Sequence, residues 1–374
     1  MSFIVDKLID LNPFNYDLNK KNFLFGKSVN EMVSHHYENC EKYKRFCQNN
    51  NFNPYKNNIE LFDYPFLPVN IFKNTQLFSV PKKELITKVE SSATTSGIPS
   101  KIYIDLETSR RQIKTSSAVM SDFLHSSRHD FFILDSDPRK KLTAEMTARI
   151  AATRGFLILA KHYEYFMEFD KNHKLFLQIE KFIDKCNSYI SRSNDSLLTI
   201  FGFTFIVYEY VISKLIQKGV SLNIKGAKLA HIGGWKKLID KKVDNDIFKK
   251  DVHTALGILP NDIIDFYGFT EQMGILYGET KSGYKITPAY SEIIIRDVNT
   301  LEPLQDGEEG FIQTISPIFS SYPGVSVLTE DIGRIITRNN SECGRLGTCF
   351  EILGRAKDSE LRGCGDLMEE KMVI

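Results

Sequence analysis

Apolar residues recur at helical spacing at Val29, Met32, Val33, Tyr37 and Cys40. The polar stretch of residues 1–60 is therefore expected to be mostly helical. Pro65 and Pro68 stand three apart, a spacing no helix interior tolerates, and mark the passage into a different region. From Leu85 onward, short apolar runs alternate with longer amphipathic ones. Residues 86–89, 101–104, 131–134, 156–160 and 228–232 read as strands, the last stopped by Gly233 and Gly234. Asp105 is placed to cap a helix through Arg110, and residues 144–152 read as another helix. The most apolar stretch, residues 197–215, is interrupted by Glu209, Ser213 and Lys214 and reads as a buried helix. Such alternation predicts an α/β fold with a largely parallel sheet. After Tyr284 the texture becomes one of short strands, at 293–295, 310–315, 325–328 and 334–337, which predicts a β-rich subdomain.

Composition narrows the class. The chain has 374 residues, 42% of them hydrophobic and 25% charged, ordinary values for a water-soluble globular protein. That length suits a helical region at 1–63, a core domain at 64–353 and a short tail at 354–374. With 48 basic against 47 acidic residues the net charge is +1, which leaves no electrostatic footprint for nucleic acid. Residues 1–20 lack a signal-peptide pattern, and no apolar run of about 18 residues suggests a membrane span. A cytoplasmic location is expected. The six cysteines are sparse and show no disulfide-framework spacing, so reduced thiols are expected.

Four segments carry candidate chemistry. Residues 91–101 (Ser-Ser-Ala-Thr-Thr-Ser-Gly-Ile-Pro-Ser-Lys) lie between two predicted strands. Hydroxyls, a glycine and backbone N–H groups in a tight loop can hold phosphate oxygens, and Lys101 can add a point charge. A polar hairpin link reads equally well from the residues alone. Next comes Asp265-Phe266-Tyr267-Gly268-Phe269-Thr270-Glu271, after a buried strand. Tyr267 can stack on a base, Thr270 can reach a phosphate, and Glu271 can hold Mg²⁺. Strand ends in α/β sheets are where ligands bind. Finally, Thr329-Glu330-Asp331-Ile332-Gly333 and Gly354-Arg355-Ala356-Lys357-Asp358 offer an acid suited to ribose hydroxyls and an arginine suited to ribose or phosphate.

In this order the segments resemble the adenylate-forming superfamily of acyl-CoA synthetases, luciferases and peptide-synthetase adenylation domains. That resemblance implies an ATP-dependent enzyme using Mg²⁺, with the superfamily's large domain and its C-terminal small domain reduced to a short tail. It assigns Ser92, Thr94, Thr95, Ser96, Gly97 and Lys101 to the phosphate loop, although Ala93 stands where the superfamily usually has glycine. It sets Gly233 and Gly234 beside the adenine, which Tyr267 stacks against, and counts Gly268 among the nucleotide-binding residues. Thr270 meets the α-phosphate, Glu271 the magnesium and Asp331 the ribose, with Arg355 close by.

A narrower resemblance is to the acyl-protein synthetases of bacterial bioluminescence operons, the LuxE type. It rests on Pro65-Phe66-Leu67-Pro68, Phe72-Lys73, Gly202-Phe203-Thr204 and His231-Ile232-Gly233-Gly234-Trp235-Lys236-Lys237. Ser321-Tyr322-Pro323-Gly324, residues 328–333 and Glu360-Leu361-Arg362-Gly363-Cys364 continue it. This family carries its acyl-acceptor cysteine in a C-terminal Arg-Gly-Cys segment, which implies Cys364. A thiolate attacks an acyl-adenylate readily because AMP leaves well. Arg362 would favour the thiolate, and the flanking glycines would let the segment swing. The implied partners are an acyl substrate and an acyl-accepting protein such as a reductase subunit. Release of the acyl group to coenzyme A or a carrier, or an inactive assembly subunit, are the competing readings. Phe201, Phe203, Phe205 and Tyr208 are expected on the apolar helix as acyl-tunnel walls or plain core.

Overall fold

In the computed structural model, which describes residues 3–91, 98–140, 147–172, 174–191, 197–234, 243–339 and 344–356, the chain divides into two units. One is Met1–Val119 with Gly268–Ile374, and the other is Met120–Tyr267.

The first unit begins with α1 (Val5–Leu8), α2 (Leu18–Asn39) and α3 (Glu41–Asn49). The Asp17 side chain caps α2 by accepting from the Lys20 N–H. Leu24, Phe25, Val29, Met32 and Val33 form the buried stripe of α2. The helically spaced positions Val29 to Tyr37 lie on α2, and Cys40, which is extended (φ −127°), separates α2 from α3. The chain then forms β1 (Leu67–Pro68), α4 (Ile71–Asn74), the antiparallel hairpin of β2 (Leu85–Glu90) and β3 (Lys101–Asp105), and α5 (Leu106–Phe123). The Asp105 carboxylate accepts from the Thr108 N–H at 2.7 Å, as the sequence led one to expect for a helix start.

The second unit runs β4 (His129–Ser136), α6 (Ala148–Phe156), β5 (Ala160–Phe169), β6 (Leu175–Leu177), α7 (Ile179–Ile190) and β7 (Leu198–Phe203). It continues with α8 (Thr204–Ile206), a π-helical turn at Val207–Ile212, α9 (Ser213–Gln217), β8 (Lys228–Ile232), α10 (Asn245–Leu256) and β9 (Ile263–Tyr267). The strands lie in the order β9-β8-β7-β4-β5-β6 and are parallel except at the β5–β6 pair. On one face Phe132, Leu134, Leu198, Ile200 and Leu229 pack against Phe182, Val211, Leu215 and Val252 from the helices. Each such side chain, fully buried, contributes about 1.5–3 kcal/mol.

Two expectations fail here for one reason. Residues 197–215 are not one helix: Leu198–Phe203 is a strand buried along its whole length, and the helix starts only at Thr204. Phe201 and Phe203 therefore sit on β7, while Phe205 and Tyr208 are helical. Residues 156–159 are not strand either. Phe156 ends α6 and stacks on Phe201 at 4.1 Å, a 3-10 turn follows at Leu157–Leu159, and β5 opens at Ala160. Continuous apolar runs fit a buried strand and a buried helix equally well, and packing decides between them.

The chain returns to the first unit with β10 (Tyr277–Gly278), β11 (Lys285–Ile286), β12 (Glu292–Arg296), β13 (Gly310–Ile315), β14 (Ser326–Arg338) and β15 (Thr348–Arg355). A sheet of order β11-β15-β14-β13-β12 results, antiparallel throughout, with β1 joined in parallel to β14. The strands expected separately at 325–328 and 334–337 are one long strand, β14. Gly333 lets β14 and β15 approach, since a Cβ there would come within 2.3 Å of the Glu351 carbonyl oxygen.

Candidate functional site

In the first unit, the polar groups gather around the 3-10 turn Thr270–Gln272. Glu271 is 5% exposed and is paired with no cation among the described residues. Burial pushes its carboxyl above the usual carboxylate range, with the nearby Ser100 hydroxyl and Lys73 charge pulling the other way. The turn is held from behind. The Tyr322 hydroxyl donates to the Glu271 carbonyl at 2.9 Å, and the Gln272 side chain donates to the Gly324 carbonyl at 2.8 Å. The segment Ser321-Tyr322-Pro323-Gly324 thus fixes the backbone that carries Glu271.

Ser100 and Lys101 stand at the closure of the β2–β3 hairpin. Glu90 faces Lys101 in register, the Ser91 N–H donates to the Ser100 carbonyl at 3.0 Å, and the Ser100 N–H donates to the Ser91 hydroxyl at 2.8 Å. The hairpin holds both ends of the hydroxyl-rich loop. Ser92, Thr94, Thr95, Ser96 and Gly97 of that loop lie outside the described residues, as do Trp235, Lys357 and Cys364.

Asp331 and Arg355 face each other in register across β14 and β15. Arg355 lies 3.1 Å from a Glu330 carboxylate oxygen and 4.0 Å from one of Asp331, and its side chain is about half exposed. Lys73 lies 4.0 Å from the other carboxylate oxygen of Glu330. Glu330 was not singled out from the sequence, where it is only the neighbour of Asp331; its ion pairs are what mark it.

In the second unit, the carboxyl edge of the parallel sheet carries the polar groups. There the Thr204 hydroxyl lies 3.0 Å from His231 Nδ1, and the Asp265 carboxylate lies 3.4 Å from the same nitrogen. His231 is buried against the Phe248 ring. Gly233 takes a left-handed conformation (φ +81°) that lets β8 turn away at its end. Tyr267 closes β9 two strands from β7. At the end of β4, Asp135 binds Arg149 of α6 through two nitrogens, one at 2.6 Å, and the Arg149 guanidinium lies over the Phe203 ring. This pair escaped the sequence reading because the partners are on separate elements with no motif between them.

Among the described residues no three His, Cys, Asp or Glu side chains converge as a metal cluster. Glu271 offers a buried carboxylate with no cation paired to it among the described residues, which fits Mg²⁺ completed by phosphate oxygens and water. No helix among the described residues is long and apolar enough to cross a membrane.

A parallel sheet with helices, followed by a largely antiparallel one, matches a 2-hydroxyisobutyryl-CoA ligase solved in an open conformation with an acyl-adenylate and coenzyme A. The TM-score is 0.69 at 14% identity, over 93% of this chain and 77% of that one, so the fold is that of the adenylate-forming ligases. Within that class the chain belongs to the LuxE acyl-protein synthetase family, whose family model matches residues 1–373. A long-chain-fatty-acid–luciferin-component ligase of Vibrio harveyi is 22% identical over 98% of this chain and 93% of its own length. The ligase of the same description from Aliivibrio fischeri is 22% identical over 97% and 92%.

Proposed function

We propose that the chain is an ATP-dependent acyl-activating ligase that forms an acyl-adenylate and transfers the acyl group to its own Cys364, for onward passage to a protein such as an acyl reductase. The observation that carries the reading is the buried carboxylate of Glu271, held without a cation among the described residues directly after the Tyr-Gly-Phe-Thr sequence. The names of the relatives make a long-chain fatty acid the first substrate to test.

In the first half-reaction a substrate carboxylate oxygen attacks the α-phosphorus of ATP, and the bond to the pyrophosphate oxygen breaks. Residues 92–97 and Lys101 would hold the phosphates through N–H groups, hydroxyls and charge, and Thr270 would meet the α-phosphate. Glu271 would hold Mg²⁺, which supplies charge neutralisation on the phosphates when bound. Asp331, steadied by Arg355 across the strand pair, would accept from ribose hydroxyls. Tyr267, with Gly268 after it and Gly233 and Gly234 opposite, would enclose the adenine. In the second half-reaction the Cys364 thiolate attacks the acyl carbonyl carbon, a thioester forms, and AMP leaves with the bonding electron pair.

The test is incubation with ATP, Mg²⁺ and a panel of fatty acids, followed by intact-protein mass spectrometry. One acyl group should be added, labile to hydroxylamine. Cys364→Ser should still release pyrophosphate and form acyl-AMP but carry no label. A Cys364→Ser protein labelled as strongly as the parent would remove Cys364 as acceptor. Discharge onto free coenzyme A with no protein label would make the chain an acyl-CoA ligase instead.

A further inference from the structure

The second unit has a groove at the amino edge of its sheet, opposite the strand ends that carry Thr204, His231 and Tyr267. Its volume is about 650 Å³, within the range of real binding sites. The amino ends of β4 and β5, with α7, enclose it, and Phe131, Phe132, Tyr189 and Leu197 supply apolar lining.

β5 is an unfinished edge beside this groove. It pairs with β4 along Ala160–Met167, whereas β6 covers its other side only at Met167–Phe169. Beyond β6, the Gln178 N–H takes the Phe166 carbonyl and the Lys181 ammonium takes the Tyr165 carbonyl. Among the described residues no strand pairs with residues 161–164 on that side. Such an edge is a template for another strand. Lys161, His162 and Tyr163 are also exposed.

The charges along the groove are unevenly matched. Glu164 is shared by Lys181 at 2.9 Å and Lys185 at 3.0 Å, and Asp130 lies 3.1 Å from His162. Both acids of the groove are thus engaged. Arg128 and Lys161, which flank it, are paired with no carboxylate among the described residues. A lysine on an open edge deters indiscriminate pairing but favours a strand bearing opposite charge.

We propose that this edge and groove dock an extended acidic segment of a partner protein, which adds to β5 as a strand, meets Arg128 and Lys161 with its carboxylates and lays an aromatic or aliphatic side chain on the apolar lining. Backbone pairing over residues 161–164 would give affinity, and the two cations would give selectivity. The site is independent of the nucleotide chemistry, so binding should need neither ATP nor an acyl group.

The probe is a fluorescein-labelled dodecapeptide of glutamates around a central phenylalanine, titrated by anisotropy. A sequence with lysine for glutamate is the control. The acidic peptide should bind saturably and the lysine peptide should not. Arg128→Glu with Lys161→Glu should weaken binding about tenfold or more, as expected for two lost charge contacts replaced by repulsion. Lys83→Glu with Lys281→Glu, two exposed lysines of the other unit, should leave it unchanged. Hydrogen exchange should slow at the amides of residues 161–164 when the peptide binds. Absence of saturable binding, equal binding by the Arg128/Lys161 double variant, or protection confined to other segments would each overturn the proposal.

Discussion

Gly324→Ala tests whether the backbone behind Glu271 is as tightly held as the geometry indicates. A Cβ at position 324 would lie 2.5 Å from Tyr322 Cε2 and 3.2 Å from the Glu271 carbonyl oxygen. The ring cannot swing aside cheaply. It is 1% exposed, with Phe72 edge-on at 6.1 Å and Phe319 at 5.3 Å between centroids. Overpacking of this kind costs about 1–3 kcal/mol. If the ring tilts, its hydroxyl also leaves the Glu271 carbonyl, a further ~1 kcal/mol. The expected loss is therefore about 1–4 kcal/mol, read as a lower urea midpoint at unchanged slope. Moving the Glu271 turn by even about 1 Å should lower ATP–pyrophosphate exchange roughly 10- to 100-fold. Tyr322→Ala supplies the decisive control, because it removes the ring atoms that the new methyl strikes at 2.5 Å and leaves only the 3.2 Å approach to the Glu271 carbonyl oxygen. In that background Gly324→Ala should cost less than about 0.5 kcal/mol. Equal costs in both backgrounds would refute the clash, and undiminished exchange in the single variant would refute the link from this segment to Glu271.

Glu271→Gln should nearly abolish ATP–pyrophosphate exchange, since an amide holds Mg²⁺ poorly; full exchange in a folded variant would exclude the metal role. The same variant carries a pH signature. Because burial raises the Glu271 carboxyl in the folded protein, its favourable contribution is present below the unfolded-chain value and is lost as pH rises through the folded one. In the absence of nucleotide the glutamine variant should therefore gain stability over the parent as pH rises from acid to neutral, and parallel melting curves at every pH would contradict this. Tyr267→Ala should weaken ATP binding by about 1–3 kcal/mol, the range for a lost base–aromatic stack; unchanged affinity by calorimetry would remove Tyr267 from the adenine site.

The parts of the fold legible in the sequence were those with their own local signal. Asp105 announces α5, Gly233 and Gly234 end β8, and the two runs bracketing residues 92–97 are strands as read. What stayed hidden depends on contacts between distant segments. Nothing local distinguishes Leu198-Thr199-Ile200-Phe201-Gly202-Phe203 as strand until β4 and β8 flank it. The candidate residues Glu271 and Asp331 could be named from motifs. The burial of Glu271, its support by Tyr322, and the Glu330–Arg355 and Asp135–Arg149 pairs required the structure, because they join segments with no common sequence pattern.

The first unit is assembled from both ends of the chain, and this gives the protein an order of synthesis problem. β1 pairs with β14, so Leu67 must wait for Val327 to be made. The second unit is one continuous stretch, Met120–Tyr267, which contains the parallel strands β4, β5, β7, β8 and β9. A ribosome adding about 5–20 residues per second would release that stretch complete while the amino-terminal segment still lacked its partner strands for on the order of ten seconds. During that interval the apolar stripe of α2 has no finished sheet to complete its unit. Nascent chains of this protein should therefore engage holding chaperones through their first 119 residues, and a chain truncated before β14 should keep a protease-resistant centre with a degradable amino terminus.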